Sequence, residues 1–447
     1  MSQVGTPTGT REYESSGRTV GRLNWDRRPK QVHAGVMITV IIMLCYGLVM
    51  LFSASMTDGL SQYGSTGYYV SRQIFFTVLG LVGMFVFTRV DVRWFNRMTF
   101  MWIVYGLSTL MLVLVMIPGI GVVRGGARRW FEIPGLGMTF QPSEFTKIAL
   151  VFCLAAYYSW LHKRRNEKKM KRLSGWKGAL LDTWWDIYLP FLVAGTNIAL
   201  VLVQPHASAT VILIGMLGIC MLAGGIRLRS WLIGGSTLLA LLIGVVLLIN
   251  ALAPSLPDSF SNRWQHVGRR ISAFVSLNRD EIDPEDGGII AEIGESASDD
   301  DLYQSRQALI AIGSGGTFGQ GLGQGRQKYN FLPEGHNDYI FSNIAEELGF
   351  VGSAGVLLLF LAFFIQGLSI ALRTTTNYAQ IIATGYSFLI TIQAALSIGV
   401  NIAVLPPTGI SLPFFSYGGT SNLFFLLSIG LLLNVSKYSM DNKKRSI

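Results

Sequence analysis

Only 14% of the 447 residues are charged, and the chain holds three cysteines, five histidines and 14 prolines. So little charge over so long a chain excludes an ordinary soluble domain, in which about a quarter of residues are charged. Cys45, Cys153 and Cys220 all fall inside apolar runs, so none staples an exposed loop and each reads as a small apolar packer. The glycine-rich run Gly313–Gly325 lacks the Gly-Lys-Ser/Thr ending of a phosphate-binding loop and reads as a tight turn. No fixed-period repeat is visible, and no stretch has the make-up of a separate soluble enzyme domain. The net charge of +10 does not point to nucleic acid, because the basic residues cluster between apolar runs instead of on one soluble face.

What is present is hydrocarbon: half of all residues are hydrophobic. Runs long enough to cross a bilayer core of about 30 Å lie near residues 33–54, 70–88, 100–118, 144–160, 187–204, 208–225, 230–253, 339–368, 379–403 and 414–436. The expected fold class is an all-α polytopic membrane protein of about ten helices. With the N-terminus inside, two-thirds of the 36 Lys and Arg fall on cytoplasmic segments, above all KRRNEKKMKR at 163–172. Both termini are therefore expected in the cytoplasm, as tails 1–32 and 439–447 around one membrane domain, 33–438. The polar tail exceeds the basic region of a secretory signal, so the first run is expected to be an uncleaved anchor. Residues 254–337 form a large extracytoplasmic loop between helices 7 and 8, away from cytoplasmic ATP. Its acidic part, 279–301, is too poor in aromatics to order itself, and YQSRQALIAIGSGGTFGQGLGQG after it should fold back as a short helix and turns.

Ionisable groups at membrane depth are costly and mark functional suspects. The stretch FLPEGHNDYIFSNIAEELGF, 331–350, puts Asp338 at the mouth of an apolar run, with Glu346 and Glu347 roughly 12 Å deeper at helical rise. Those two glutamates either bond backbone groups freed at a helix break or line a polar cavity, and both readings stand. A second charged site on the same side is GGARRWFEIPGLGMTFQPSEFTK, leading from an outer loop into the fourth helix. Pro142 suits a first helical turn, Glu144 follows where negative charge is favoured, and Lys147 sits one turn deeper on the same face. One reading is a local Glu144–Lys147 ion pair. The other has Lys147 and Asp338 meeting across a cavity, with Asp338 as a general base and Arg128, Arg129 and Lys147 stabilising a departing anion. Trp130 reads as an interfacial anchor or, less plainly, a ring on which a sugar stacks. A metal set from Glu334, His336 and Asp338 is conceivable, but the spacing matches no metal motif. LPPTGISLPFFSYGGTSN, 405–422, is non-helical chain between two helices, either a plain re-entrant turn or a wall opposite Asp338.

Taken in order, GARRW, QPSEFTK, QPHASAT, YQSRQALIAIGSGG with LPEGHNDYIFSNIAEELGFVG, and LPPTGISLPFFSYGGTS resemble the shape, elongation, division and sporulation (SEDS) family from the first helix to the last. The resemblance implies a peptidoglycan glycosyltransferase that polymerises lipid II at the outer face of the cytoplasmic membrane and releases undecaprenyl pyrophosphate. It implies a class B penicillin-binding transpeptidase as partner, beside other divisome or elongasome membrane proteins. It makes Asp338 the base and Lys147 a second catalytic residue, with Arg129 and Trp130 raised to substrate contacts. Arg128, Glu144, Glu334 and His336 complete the expected substrate surround, Arg128 standing where the family varies. No cofactor is firmly expected, though a divalent cation, Mg or Mn, would suit a leaving pyrophosphate. Two departures stand out: His206 occupies a position where many members have Asp, and the acidic insert is longer than expected. PFFSYGGTSN and QPHASAT lean toward the division or sporulation branch. Two rival classes are a lipid II flippase, which internal repeats would favour, and a non-catalytic scaffold for the transpeptidase.

Overall fold

A computed structural model describes residues 32–124, 127–133, 138–167, 175–252, 274, 299–329 and 331–438. The tails and most of the acidic insert lie outside the described residues. The helices are α1 (Ala34–Tyr63), α2 (Tyr68–Arg89), α3 (Val92–Phe95), α4 (Met98–Leu114), α5 (Pro142–Asn166), α6 (Gly175–Thr183), α7 (Leu189–Val203), α8 (Ala207–Ala223), α9 (Leu228–Leu252), α10 (Asp299–Ser314), α11 (Ile340–Arg373), α12 (Asn377–Asn401) and α13 (Gly419–Ser436). A π-helical turn, Trp184–Tyr188, joins α6 to α7. Among the described residues six helical stretches are long and apolar enough to cross a membrane: α1, α2, α6 with α7, α11, α12 and α13. α4, α8 and the apolar part of α9 are shorter, and α5 carries Glu144 and Lys147 in its first turns over 25 residues. Together these cover the ten expected segments.

The loop before α5, expected to face outward, departs from an all-helical reading. It forms a three-stranded antiparallel meander, β1 (Gly121–Arg124), β2 (Ala127–Ile133) and β3 (Met138–Phe140). Its valines and aromatics suit a half-buried pleat, with Val122 opposite Trp130 and Phe131 opposite Phe140. The register slips between Val122 and Val123, so Arg128 pairs with Val123 and Arg129 falls in the irregularity.

α12 is central, packing against α5, α8, α11 and α13, and α2 lies along α13. At that second seam a Cβ on Gly430 would stand 2.7 Å from the Met84 carbonyl oxygen, so the backbones approach closely. Polar ties finish it: Asn422 donates to Thr77 at 2.7 Å, and Asn434 donates to the carbonyls of Phe87 and Val90.

α11 breaks at Gly349, whose φ of 65° and ψ of −161° no helix accommodates. The glycine-rich turn after α10 satisfies the freed backbone groups. Gln320 and Gly321 donate to the carbonyls of Glu346 and Glu347 at 3.0 and 2.9 Å, while Phe350 and Val351 donate to those of Gly316 and Thr317. Gly319, at φ 81°, lies so close that a Cβ would sit 2.1 Å from the Glu347 oxygen. The two carboxylates clamp the same turn. Glu346 accepts from the backbone of Arg326 and Gln327, and Glu347 accepts from Gly323, from Ser53 on α1 and from Lys328 at 2.9 Å. The carboxylates thus brace the turn that fills the helix break, bonding its backbone and not the groups freed at the break itself. Lys328 and Glu347 are both 1% exposed. Lys328→Met should therefore strand a buried carboxylate and cost about 3–5 kcal/mol, measured by unfolding in detergent.

Candidate active site

The segment between the glycine-rich turn and α11 is held at its backbone. Three consecutive carbonyls have donors from other elements: Tyr417 N–H bonds that of His336 at 2.9 Å, Ser416 Oγ that of Asn337 at 2.6 Å, and Asn401 Nδ2 that of Asp338 at 2.8 Å. Asn401, the last residue of α12, also accepts from the backbone and hydroxyl of Ser342 in the first turn of α11. Asn343 reaches back to the Gly335 carbonyl at 3.0 Å. The Asp338 backbone is thus fixed from two sides while its carboxyl-bearing residue is half-buried. Such fixation places a reacting group before substrate arrives.

Lys147 lies in the second turn of α5, 2% exposed. Its Nζ is 2.8 Å from Glu144 Oε1 and donates to Gln393 Oε1 on α12 at 2.7 Å. The local ion pair therefore forms, and among the described residues no ion pair joins Lys147 to Asp338. The two are connected indirectly. Gln393 and Asn401 are eight residues apart on α12, about 12 Å at helical rise, and hold Lys147 and the Asp338 backbone respectively. The 405–418 segment spans the same interval, because Gln393 donates to the Ser411 carbonyl and Ser416 donates to Asn337. It is tied at both ends of this interval by those hydrogen bonds. Glu144 Oε2 is buried without a hydrogen-bond partner among the described residues, an acceptor left in place at a cost of about 1–3 kcal/mol. Arg128 Nη1 is a buried donor of the same kind.

β3 runs straight into Gln141, the cap of α5. Through that strand the sheet carrying Arg128, Arg129 and Trp130, all half-buried, is attached to the start of α5. Phe140 and Phe145 both pack on Phe424 of α13. His206, at the start of α8, turns Nδ1 toward Gln141 Nε2 and Ser143 Oγ at 3.4 and 3.3 Å. The residue that departs from the family pattern thus sits beside the Glu144 turn.

Glu334, His336 and Asp338 are drawn apart by their neighbours. Glu334 is exposed at φ 55° and accepts from Asn337 Nδ2. His336 Nδ1 lies 3.0 Å from Asp58 Oδ2 on α1, with the Tyr69 ring 4.4 Å away. Among the described residues no group of three His, Cys, Asp or Glu is gathered as a metal site.

Sequence reasoning missed Asp58, Gln393 and Asn401. Asp58 lies in the last three turns of α1, SASMTDGLSQY, which are polar enough to look like loop. Gln393 and Asn401 were visible as lone amides in an apolar helix, a polar signal weaker than a charge.

Comparison with known proteins shows the family and the fold. Residues 34–441 match the family model FTSW_RODA_SPOVE, described as "Cell cycle protein". Stage V sporulation protein E of Bacillus subtilis (strain 168) is 32% identical over 404 residues, which is 90% of this chain and 96% of that one. The "Probable peptidoglycan glycosyltransferase FtsW" of Trichlorobacter lovleyi is 34% identical over 404 residues, 90% of this chain and 92% of its own. Among solved structures, a chain in "Structural coordination of polymerization and crosslinking by a peptidoglycan synthase complex" has the same fold, with TM-score 0.65 at 23% identity over 92% of this chain and 99% of that one. The rod shape determining protein RodA of Thermus thermophilus gives TM-score 0.58, also at 23% identity, over 92% of this chain and 98% of its own. With the match running from the first turn of α1 to beyond α13, the chain belongs to the FtsW, RodA and SpoVE family of cell cycle proteins.

Proposed function

We propose that this chain is a peptidoglycan glycosyltransferase that polymerises lipid II at the outer face of the cytoplasmic membrane, with both termini inside. One observation carries the reading: α12 holds Lys147 through Gln393 and the Asp338 loop through Asn401, so a carboxylate and a buried cation share one scaffold. Asp338 takes the proton from a sugar hydroxyl of one lipid-linked disaccharide as that oxygen attacks the anomeric carbon of another. The bond to the polyprenyl pyrophosphate breaks with inversion at that carbon. Arg129 and Lys147, with Arg128 beside them, offset the charge growing on the leaving pyrophosphate. A divalent cation, Mg or Mn, would supply the same neutralisation beside these protein cations. Trp130, Glu144, Glu334 and His336 surround the substrate. The partner is a class B penicillin-binding transpeptidase, which cross-links the strands as they form, and the role lies in cell division or cell-shape maintenance, with PFFSYGGTSN and QPHASAT leaning toward the division or sporulation branch.

The test is glycan polymer formation from lipid II by the purified protein in detergent, with and without that partner and with and without a chelator. In detergent there are no two leaflets, so translocation has no readout and only polymerisation leaves a product. A flippase or a scaffold would return lipid II unpolymerised. Asp58 belongs to this reading as a positioning residue, since it orients the His336 ring two residues from Asp338. Asp58→Ala should lower the polymerisation rate on the order of tenfold, part of the roughly 100-fold that a 1 Å misplacement costs. Asp58→Glu should recover part of it.

A further inference from the structure

At the end of the bundle away from Asp338 lies a cavity of about 290 Å³ between α4, α5, the π-turn and α7, which the proposed chemistry does not use. Its wall includes Met98, Trp102, Cys153, Trp160, Trp185 and Val193. The wall is almost wholly apolar, and two of its polar side chains point their polar atoms at protein partners. Tyr157 donates to the Trp185 carbonyl at 2.6 Å, and Asn197 accepts from Thr109 at 2.8 Å. The interior therefore presents hydrocarbon, and a dry apolar space of this kind takes an apolar guest in preference to water. It lies within membrane-spanning helices, where the available guest is a lipid chain.

Hydrocarbon alone selects nothing, because a chain gains little on leaving a bilayer that is equally apolar. The rim supplies the selection. Arg164 lies over the ring of the lining residue Trp160, 5.0 Å from its centroid. Arg97 directly precedes the lining residue Met98 and lies over the Trp94 ring at 4.9 Å. Both arginines are exposed. Two neighbouring cations among the described residues face carboxylates instead: Arg165 pairs with Asp186 at 2.6 Å and Asp182 at 3.5 Å, and Lys163 is 3.9 Å from Glu167. Aromatic rings at headgroup level with arginines leaning on them are the furniture of a membrane interface. We infer that this cavity holds one acyl chain of an anionic phospholipid whose phosphate headgroup is recognised by Arg97 and Arg164.

The site depends on the chain spanning a membrane and not on the glycosyltransferase reading, so its failure leaves that reading untouched. The test is native mass spectrometry of the purified full chain titrated with dioleoyl phosphatidylglycerol or dioleoyl phosphatidylcholine. Two cations each worth about 1 kcal/mol near an anionic headgroup predict a roughly tenfold or greater preference for phosphatidylglycerol. Arg97→Gln with Arg164→Gln, both at exposed positions that leave the core intact, should erase the preference. Val193→Phe, filling the cavity, should weaken the binding of both lipids. Equal binding of the two lipids by the wild-type chain, or an unchanged preference in the double arginine variant, would overturn the inference. So would displacement of phosphatidylglycerol by stoichiometric undecaprenyl phosphate, which would assign the cavity to a polyprenyl chain.

Discussion

Asp338→Asn should lower lipid II polymerisation by about 10²–10⁴-fold, the range that a positioned general base contributes. The substitution keeps the size of the side chain and removes its capacity to take a proton. It also leaves the backbone carbonyl that Asn401 holds at 2.8 Å, so the loop keeps its anchor. The unfolding midpoint in detergent should accordingly stay close to that of the wild type, because the change lies at a half-buried position outside the core clusters. Loss of activity with retained stability is the signature of a chemical role. Rescue of growth by the same variant would instead support a scaffold that recruits the transpeptidase.

The second large effect is expected at Lys147, where structural and chemical roles separate. Lys147→Met leaves Glu144 buried without its ion-pair partner, and Glu144 Oε2 already lacks a hydrogen bond among the described residues. Breaking a buried pair from one side costs about 3–5 kcal/mol. Replacing both charges, as Glu144→Gln with Lys147→Met, removes the stranded carboxylate and should recover most of that stability. Activity should not return. Without Lys147 the leaving pyrophosphate loses a preorganised cation, a deficit of about 10²–10³-fold by analogy with removing one donor from a charge-stabilising site. If the double variant were both stable and active, the pair would be glue alone. Unfolding in detergent and polymerisation rate, measured on the same preparations, distinguish the outcomes.

The helices were legible because membrane hydrocarbon demands long apolar runs, which cover all ten segments within a few residues at most ends. The extra turns of α1 were not, since SASMTDGLSQY is polar and continues as helix beyond the apolar run, taking Asp58 with it to His336. The meander was hidden for a different reason. Gly125, Gly126, Pro134 and Gly135 punctuate it so densely that its alternating residues read as loop. At the site, motif residues were legible one by one but their pairing was not. Gln393 meets Lys147 across 246 positions of sequence, and no local pattern encodes such a contact. Glu346 and Glu347 looked as suspect as Asp338 because cost at membrane depth does not distinguish a carboxylate that bonds backbone from one that does chemistry. The structure shows where Glu346 and Glu347 go: they bond the backbone of the turn that fills the break at Gly349.

The central claim is that this chain joins sugars and expels a lipid pyrophosphate. Its most direct measurement is the release of undecaprenyl pyrophosphate from purified lipid II by the wild-type chain and its transpeptidase partner in detergent, counted against the glycosidic linkages formed. The account predicts one pyrophosphate for each linkage with wild-type protein and neither product with Asp338→Asn. Lipid II recovered intact from the wild-type reaction, or linkages formed equally well by Asp338→Asn, would contradict it.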